Sequence, residues 1–363
     1  MTLHEPKTRP SAFITHESLG RMRVPSFDDV RAALDRIGAH VIRTPLIRST
    51  ALDRIAGAPV WLKAENLQVT GSFKARGAFN ALLRLSEVER QRGVVAYSTG
   101  NHGQAIAWAA RCLGVPATIV MPIDAPRNKV ARALAHGARV VHYDRRHESR
   151  EAIGMRLLQD SGGTLVPPGD HPDVLAAQGT VALEALDALP PASRENLGTF
   201  AAPCGGGGLL AGCSLVLDAL QPNARIAAVE PFGFDDTARS LDSGTRELNG
   251  PAAHTLADAL QAATPAELPF AINRHYLSEA WAVTDAEIAT AIRFALIELR
   301  MVVEPGGAVA LAALLAGRLQ FGGQDAVVVL SGGNVDLSVL AALIQADDGL
   351  ADIERPSRAS QNL

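Results

Sequence analysis

Glu65-Asn66-Leu67-Gln68-Val69-Thr70-Gly71-Ser72-Phe73-Lys74-Ala75-Arg76-Gly77-Ala78 is the segment around which the rest of the chain is organised. The apolar run Pro59 to Leu62 leads into it and a helical pattern, Ala78 to Leu85, leaves it, which places Lys74 where a strand gives way to a helix. Lysine is scarce in this chain: besides Lys74 there are only Lys7, Lys63 and Lys129, and arginine covers the ordinary surface positions. An amine among small and apolar neighbours is partly desolvated, which lowers its pKa and lets it condense with a carbonyl. Taken alone, the segment also fits a solvated lysine at a helix start.

Three further segments follow in the chain, around Ser98, Gly205 and Ser331 in that order. Gly205, Gly206, Gly207 and Gly208 lie between a short apolar strand, Thr199 to Ala202, and a helical run that begins at Leu209. Glycines let successive backbone N–H groups converge on one anion, and the helix N-terminus adds a favourable dipole, so this run reads as a phosphate cradle. It lacks the Gly-x-Gly-x-x-Gly spacing of a dinucleotide site and the Gly-Lys-Ser/Thr of a P-loop. Ser98-Thr99-Gly100-Asn101-His102-Gly103-Gln104 joins the strand Val94 to Tyr97 to a helix, a junction suited to a carboxylate. Ser331-Gly332-Gly333-Asn334 makes a turn after the apolar strand Ala326 to Leu330.

Together these four segments resemble the pyridoxal-phosphate enzymes of fold type II, the tryptophan-synthase β fold, in the branch of serine/threonine dehydratases, serine racemases and 3-hydroxyaspartate dehydratases. The resemblance covers about Ser26 to Ile344. It implies a two-domain, three-layer α/β fold with parallel-type sheets. Residues 25–84 and 167–346 would form a discontinuous large domain and 85–166 a small one, with a flexible extension at 1–24 and a flexible tail at 347–363. It also implies that Lys74, preceded by Phe73, holds pyridoxal 5'-phosphate. Gly205 to Gly208 with Leu209 would hold its phosphate, Asn101 would contact its phenolic oxygen and Ser331 its pyridine nitrogen. A serine cannot keep that nitrogen protonated as a carboxylate would, which shortens the life of a carbanion and favours prompt loss of a β-substituent.

Within the resemblance, Ser98, Thr99, Gly100, Asn101 and His102 hold the substrate α-carboxylate. His102, where cysteine-synthase relatives usually carry threonine, points to the dehydratase branch. Thr99 stands where racemases place a serine hydroxyl opposite the lysine, so Lys74 and Thr99 keep a racemase as the alternative to elimination. Glu148-Ser149-Arg150-Glu151 matches a racemase segment in which Arg150 would pair with a substrate β-carboxylate. Glu230, the Phe234 carbonyl and Asp236 match a site for Mg²⁺ or Ca²⁺, for which two carboxylates and a carbonyl are suitable hard ligands.

Composition sets the outer bounds. The 363 residues are 47% hydrophobic and 20% charged with a net charge of −4, which suits one large or two medium soluble domains and offers no field for a polyanion. Nucleic acid is therefore not an expected partner. Cys112, Cys204 and Cys213 are odd in number and lack metal-ligand spacing, which suits a reducing compartment. No apolar run reaches membrane-spanning length and no apolar signal core opens the chain, so cytoplasm is the expectation. The sequence predicts a pyridoxal-phosphate-dependent ammonia-lyase acting on serine, threonine or 3-hydroxyaspartate, as a homodimer. A cofactor-binding protein without turnover is the reading from outside enzymes.

Overall fold

The computed structural model describes residues 22–98, 100–250 and 253–345. The extension before Met22, the tail after Gln345 and Thr99 lie outside the described residues. Ten strands build two sheets: β1 Leu46–Arg48, β2 Val60–Ala64, β3 Val94–Tyr97, β4 Ala117–Pro122, β5 Arg139–Tyr143, β6 Thr164–Leu165, β7 Leu197–Pro203, β8 Arg225–Pro231, β9 Glu279–Val283 and β10 Asp325–Leu330. The larger sheet runs β1-β2-β10-β7-β8-β9 and the smaller β5-β4-β3-β6. All pairings are parallel except the edge pair β1/β2, in which Leu46 opposes Lys63.

Central strands are apolar without alternation because both faces are covered. In β10, Ala326, Val328 and Leu330 enter one buried cluster while Val327 and Val329 enter the other, across the sheet. A third cluster surrounds the smaller sheet and draws Ala33 and Ile37 from the first helix, Phe79 and Leu82 from the Lys74–Leu83 helix, and Val174 from the Pro172–Ala188 helix. Ser26 caps the first helix, Phe27–Ile37, in a capping box with Asp29.

A fully buried ionic cluster fixes the Lys74–Leu83 helix. Arg76 donates to both oxygens of Glu65 at 2.8 Å and to both oxygens of Glu184 at 2.7 Å. Lys63 completes the set, donating to Glu184 Oε2 at 2.7 Å and to the Thr44 carbonyl at 2.9 Å. Two cations meet two carboxylates in geometry good enough to offset much of their desolvation. The cluster locks β2, the turn after it, the Lys74 helix and the Pro172–Ala188 helix to one another.

Candidate active site

Strands β2, β10 and β7 are adjacent and parallel, so their C-terminal ends open side by side on one edge of the larger sheet. Ligands of open α/β sheets bind outside such ends. Here the three strands deliver, in spatial order, the Lys74 stretch, Ser331 and the glycine run. Phe73 N donates to the Ser331 carbonyl at 3.2 Å and Ser72 bridges to Gly332, which ties the first two together.

Lys74 is the first residue of its helix and its Nζ donates to the Pro168 carbonyl at 3.1 Å. No carboxylate pairs with it among the described residues. Its side chain is half-buried, and burial of the amine pulls the pKa down to about 8. The solvated-lysine reading is thereby replaced.

Gly207 adopts a left-handed φ of 87°, and a Cβ there would stand 2.7 Å from Asn273 Nδ2, so only glycine fits. Gly208 opens the Gly208–Leu220 helix, and a Cβ on it would lie 3.7 Å from the Pro168 carbonyl that holds Lys74. The glycine run and the amine therefore meet at one segment. Gly206 is open, its nearest neighbour for a Cβ being Ala266 at 3.8 Å, while Leu209 is buried behind. Ser72 Oγ is buried without a partner. A desolvated amine without a counter-ion, an anion cradle and an orphaned hydroxyl fit a phosphorylated carbonyl compound such as pyridoxal phosphate.

On the smaller sheet, β3 ends at Tyr97 and is followed by Ser98, whose Oγ accepts from Gly100 N at 2.9 Å before the Asn101–Leu113 helix begins. Asn101 is buried, donates through Nδ2 to Glu304, and accepts from Asn334 Nδ2 at 3.0 Å. His102 Nε2 lies 2.8 Å from the Val166 carbonyl, which can only accept, so the proton sits on Nε2 and Nδ1 is left as a buried lone pair. Burial, aided by Lys74, pushes the His102 pKa down to about 3, so the imidazole is neutral.

Two groups of residues stand apart from this centre. Arg150 opens the Arg150–Ser161 helix beside β3, with its guanidinium 5.1 Å over the Tyr97 ring and donating to Glu151 at 2.7 Å. Glu230, at the end of β8, accepts from Thr237 N and Ala238 N at 2.9 Å, and burial, then Asp236, pushes its pKa up to about 8. Asp236 accepts from Asn249 Nδ2 at 2.6 Å, keeps a buried Oδ2 with no partner, and is pushed by burial to about 6. Phe234 belongs to the turn between them. Among the described residues no cluster of three or more His, Cys, Asp or Glu side chains forms, so a cation here would draw on two carboxylates and a carbonyl.

Sequence reading missed a second ionic cluster, centred on a buried lysine: Lys129 Nζ lies 2.7 Å from the half-buried Asp258 Oδ2 and 3.0 Å from the buried Glu304 Oε2. The scarcity of lysine was the one available signal, since the three residues are far apart in the chain.

The Lys74 pKa carries a pH consequence. A depressed lysine costs stability in the cofactor-free protein below about pH 8, and the cost is relieved as pH rises from there toward the unfolded value near 10.4. The condensing form is the neutral amine, so the rate at which cofactor-free protein takes up pyridoxal phosphate is expected to rise through a midpoint near pH 8 and level off above it. Stopped-flow absorbance checks this; a rate still climbing past pH 10 would contradict a desolvated Lys74.

Comparison with known proteins places these features. The family model described as "Pyridoxal-phosphate dependent enzyme" matches residues 37–332. An L-threo-3-hydroxyaspartate ammonia-lyase from Pseudomonas sp. is 46% identical over 325 residues, covering 89% of this chain and 100% of that protein. The Saccharomyces cerevisiae L-threo-3-hydroxyaspartate ammonia-lyase is 42% identical, covering 90% and 99%. The crystal structure of serine racemase from Dictyostelium discoideum superposes with a TM-score of 0.80 at 36% identity, covering 86% of this chain and 99% of that one.

Proposed function

The chain belongs to the pyridoxal-phosphate dependent enzyme family, and from that membership we propose that it is an ammonia-lyase that eliminates water from L-threo-3-hydroxyaspartate. The observation that carries the chemistry is Lys74: a desolvated amine without a counter-ion, beside a glycine cradle, at the mouth of three parallel strands. The two 3-hydroxyaspartate ammonia-lyases at 46% and 42% identity support the substrate.

When bound, pyridoxal phosphate supplies the electron sink that acidifies the substrate's α-carbon. Lys74 anchors the cofactor and, once its amine is free, takes the α-proton at Nζ. The backbone of Gly205, Gly206, Gly207, Gly208 and Leu209 would hold the phosphate, Phe73 flanks the lysine, and Ser331 would meet the ring nitrogen. Ser98, Thr99, Gly100, Asn101 and His102 receive the α-carboxylate. Arg150 turns from Glu151 to the β-carboxylate, a bidentate pairing that distinguishes the dicarboxylate from serine and threonine. The hydroxyl leaves Cβ as water with the proton that Lys74 Nζ took from the α-carbon, and the released enamine tautomerises and is hydrolysed by water to a 2-oxo acid and ammonium.

Residues 85–166 act as a unit that closes on 25–84 and 167–346 to exclude water. Exposed Ile42, Leu67, Val69 and Val302 flank one loop, joined by Gln68 to Ile42 and Asn66 to Val302 hydrogen bonds, and support a homodimer. Cytoplasm is the location this reading carries.

Glu230, Asp236 and the Phe234 carbonyl bind Mg²⁺ or Ca²⁺, supported by the unpartnered Asp236 Oδ2 and the raised pKa of both carboxylates. Saturating Mg²⁺ is expected to raise the melting temperature, since a ligand at one hundred times its Kd stabilises by about 2.7 kcal/mol. Asp236→Asn should abolish the gain. An equal shift in wild type and variant would remove the site.

The function is tested by ammonium release from L-threo-3-hydroxyaspartate with added pyridoxal phosphate. Stoichiometric ammonium and 2-oxo acid are expected. Accumulation of the opposite α-stereoisomer without ammonium would turn the reading to a racemase using Lys74 and Thr99, and neither product would leave a protein that binds cofactor without turnover.

A further inference from the structure

One helix of the smaller unit, Arg127–Ala135, reaches across to the larger one with a row of polar contacts. Asn128 N donates to Asp336 Oδ1 at 3.2 Å, Lys129 joins Asp258 and Glu304, and Arg132 Nη1 donates to Asn334 Oδ1 at 2.8 Å. Lys129 is fully buried, and its stem occupies the space a Cβ on Gly100 would need, so it lies against the backbone that enters Asn101. Burial alone would lower the Lys129 pKa, but Glu304 and Asp258 together raise it, so it is a cation.

An asparagine amide can turn by 180°, exchanging oxygen and nitrogen at almost no change of shape; its partners decide which is where. A guanidinium only donates, so the Asn334 atom facing Arg132 is oxygen. Asn334 Nδ2 then faces the Thr70 carbonyl at 2.8 Å, which only accepts, and Asn101, whose facing atom is therefore oxygen. Asn101 Nδ2 in turn meets the Glu304 carboxylate, and that carboxylate's other oxygen is held by Lys129. The donors all point one way, from Arg132 through Asn334 and Asn101 to Glu304, and a cation stands at each end. Asn101 Nδ2 has two protons and Glu304 takes one, so one N–H is left unspent.

Resting on the reading of this cleft as a pyridoxal-phosphate site, we propose that Arg132 and Lys129 are positioning residues that, together with the Thr70 carbonyl and Glu304, hold the amide orientation of Asn101, so that it would offer its free N–H and not its oxygen to the cofactor's phenolic oxygen. Both cations come from one helix of the smaller unit, while Glu304, Asp258 and Asn334 belong to the larger. The polarity of Asn101 is therefore set only while the two units are together.

Arg132 is exposed and can be replaced at little cost to folding, which makes it the place to test this. Cofactor affinity of wild type, Arg132→Met and Arg132→Lys is measured by dialysis of the holoprotein against graded pyridoxal phosphate, with the melting temperature of each cofactor-free form alongside. Arg132→Met, which has no donor, is expected to bind the cofactor about tenfold more weakly, the worth of one hydrogen bond presented the wrong way round. Its melting temperature should stay unchanged, and its kcat should fall more than its KM rises. Arg132→Lys, still a donor-only cation, should restore all three. Unchanged affinity in Arg132→Met, or equal weakening in Met and Lys variants, would overturn the proposal. Wild type that binds no pyridoxal phosphate would instead overturn the reading on which it rests.

Discussion

Lys74→Ala is expected to lower kcat/KM by at least ~10³ to 10⁴-fold, because one substitution removes both the cofactor's anchor and the base for the α-proton. The loss corresponds to roughly 4 to 5.5 kcal/mol of transition-state stabilisation at 1.36 kcal/mol per decade. Stability should move the other way or not at all. The Lys74 amine is desolvated and donates only to the Pro168 carbonyl, so below about pH 8 its removal relieves an unfavourable charge. Lys74→Arg separates charge from chemistry: a guanidinium stays protonated and can neither condense with a carbonyl nor take a proton, so this variant should be as inactive as alanine. Steady-state kinetics with circular dichroism checks the pair. A folded Lys74→Ala protein with more than about one tenth of wild-type turnover would contradict the assignment.

Arg76→Met is expected to have the largest effect on stability, a loss of about 3–5 kcal/mol. Arg76 is fully buried and satisfies both Glu65 and Glu184, so its removal strands two carboxylates with only Lys63 and the Thr44 hydroxyl to share between them. Burial by itself would lower the Arg76 pKa, but the two carboxylates raise it, so Arg76 is a permanent cation in the folded protein. The site should suffer as well. Arg76 sits two residues beyond Lys74 on the same helix, and the cluster is what holds that helix against the Pro172–Ala188 helix. Replacing Arg76, Glu65 and Glu184 together with apolar residues should recover much of the stability, since an absent network leaves no buried charge. Urea midpoints measure both; an Arg76→Met midpoint equal to wild type would contradict the cluster's role.

Much of this was legible because the motifs are local. The apolar runs named from the sequence became the inner strands, and Lys74, Gly205 to Gly208 and Ser331 fall at the ends of three of them. One edge strand was not legible. β9, Glu279-Ala280-Trp281-Ala282-Val283, is half-buried along most of its length, and its apolar run, Ala280 to Val283, is too short for periodicity to tell a strand from a buried helix segment. The Lys74 helix begins four residues before the apolar pattern that announces it, since Arg76 and Gly77 in its first turn are buried by ionic and close packing and not by apolarity. Lys129, Asp258 and Glu304 were missed for a related reason. A buried ion pair is a property of two distant positions at once, and neither residue alone looks different from one at the surface.

The most direct measurement is kcat/KM for 2-oxo acid release from L-threo-3-hydroxyaspartate, L-threonine and L-serine in parallel, in wild type and Arg150→Ala, with pyridoxal phosphate and Mg²⁺ present. Wild type should favour the dicarboxylate by about 10²-fold, the worth of a charge-assisted bidentate pair. Arg150→Ala should lose that preference while keeping its rate on threonine. Equal rates on all three substrates, or an Arg150→Ala protein that keeps the preference, would contradict the dicarboxylate assignment, and no 2-oxo acid from any of them would contradict the lyase itself.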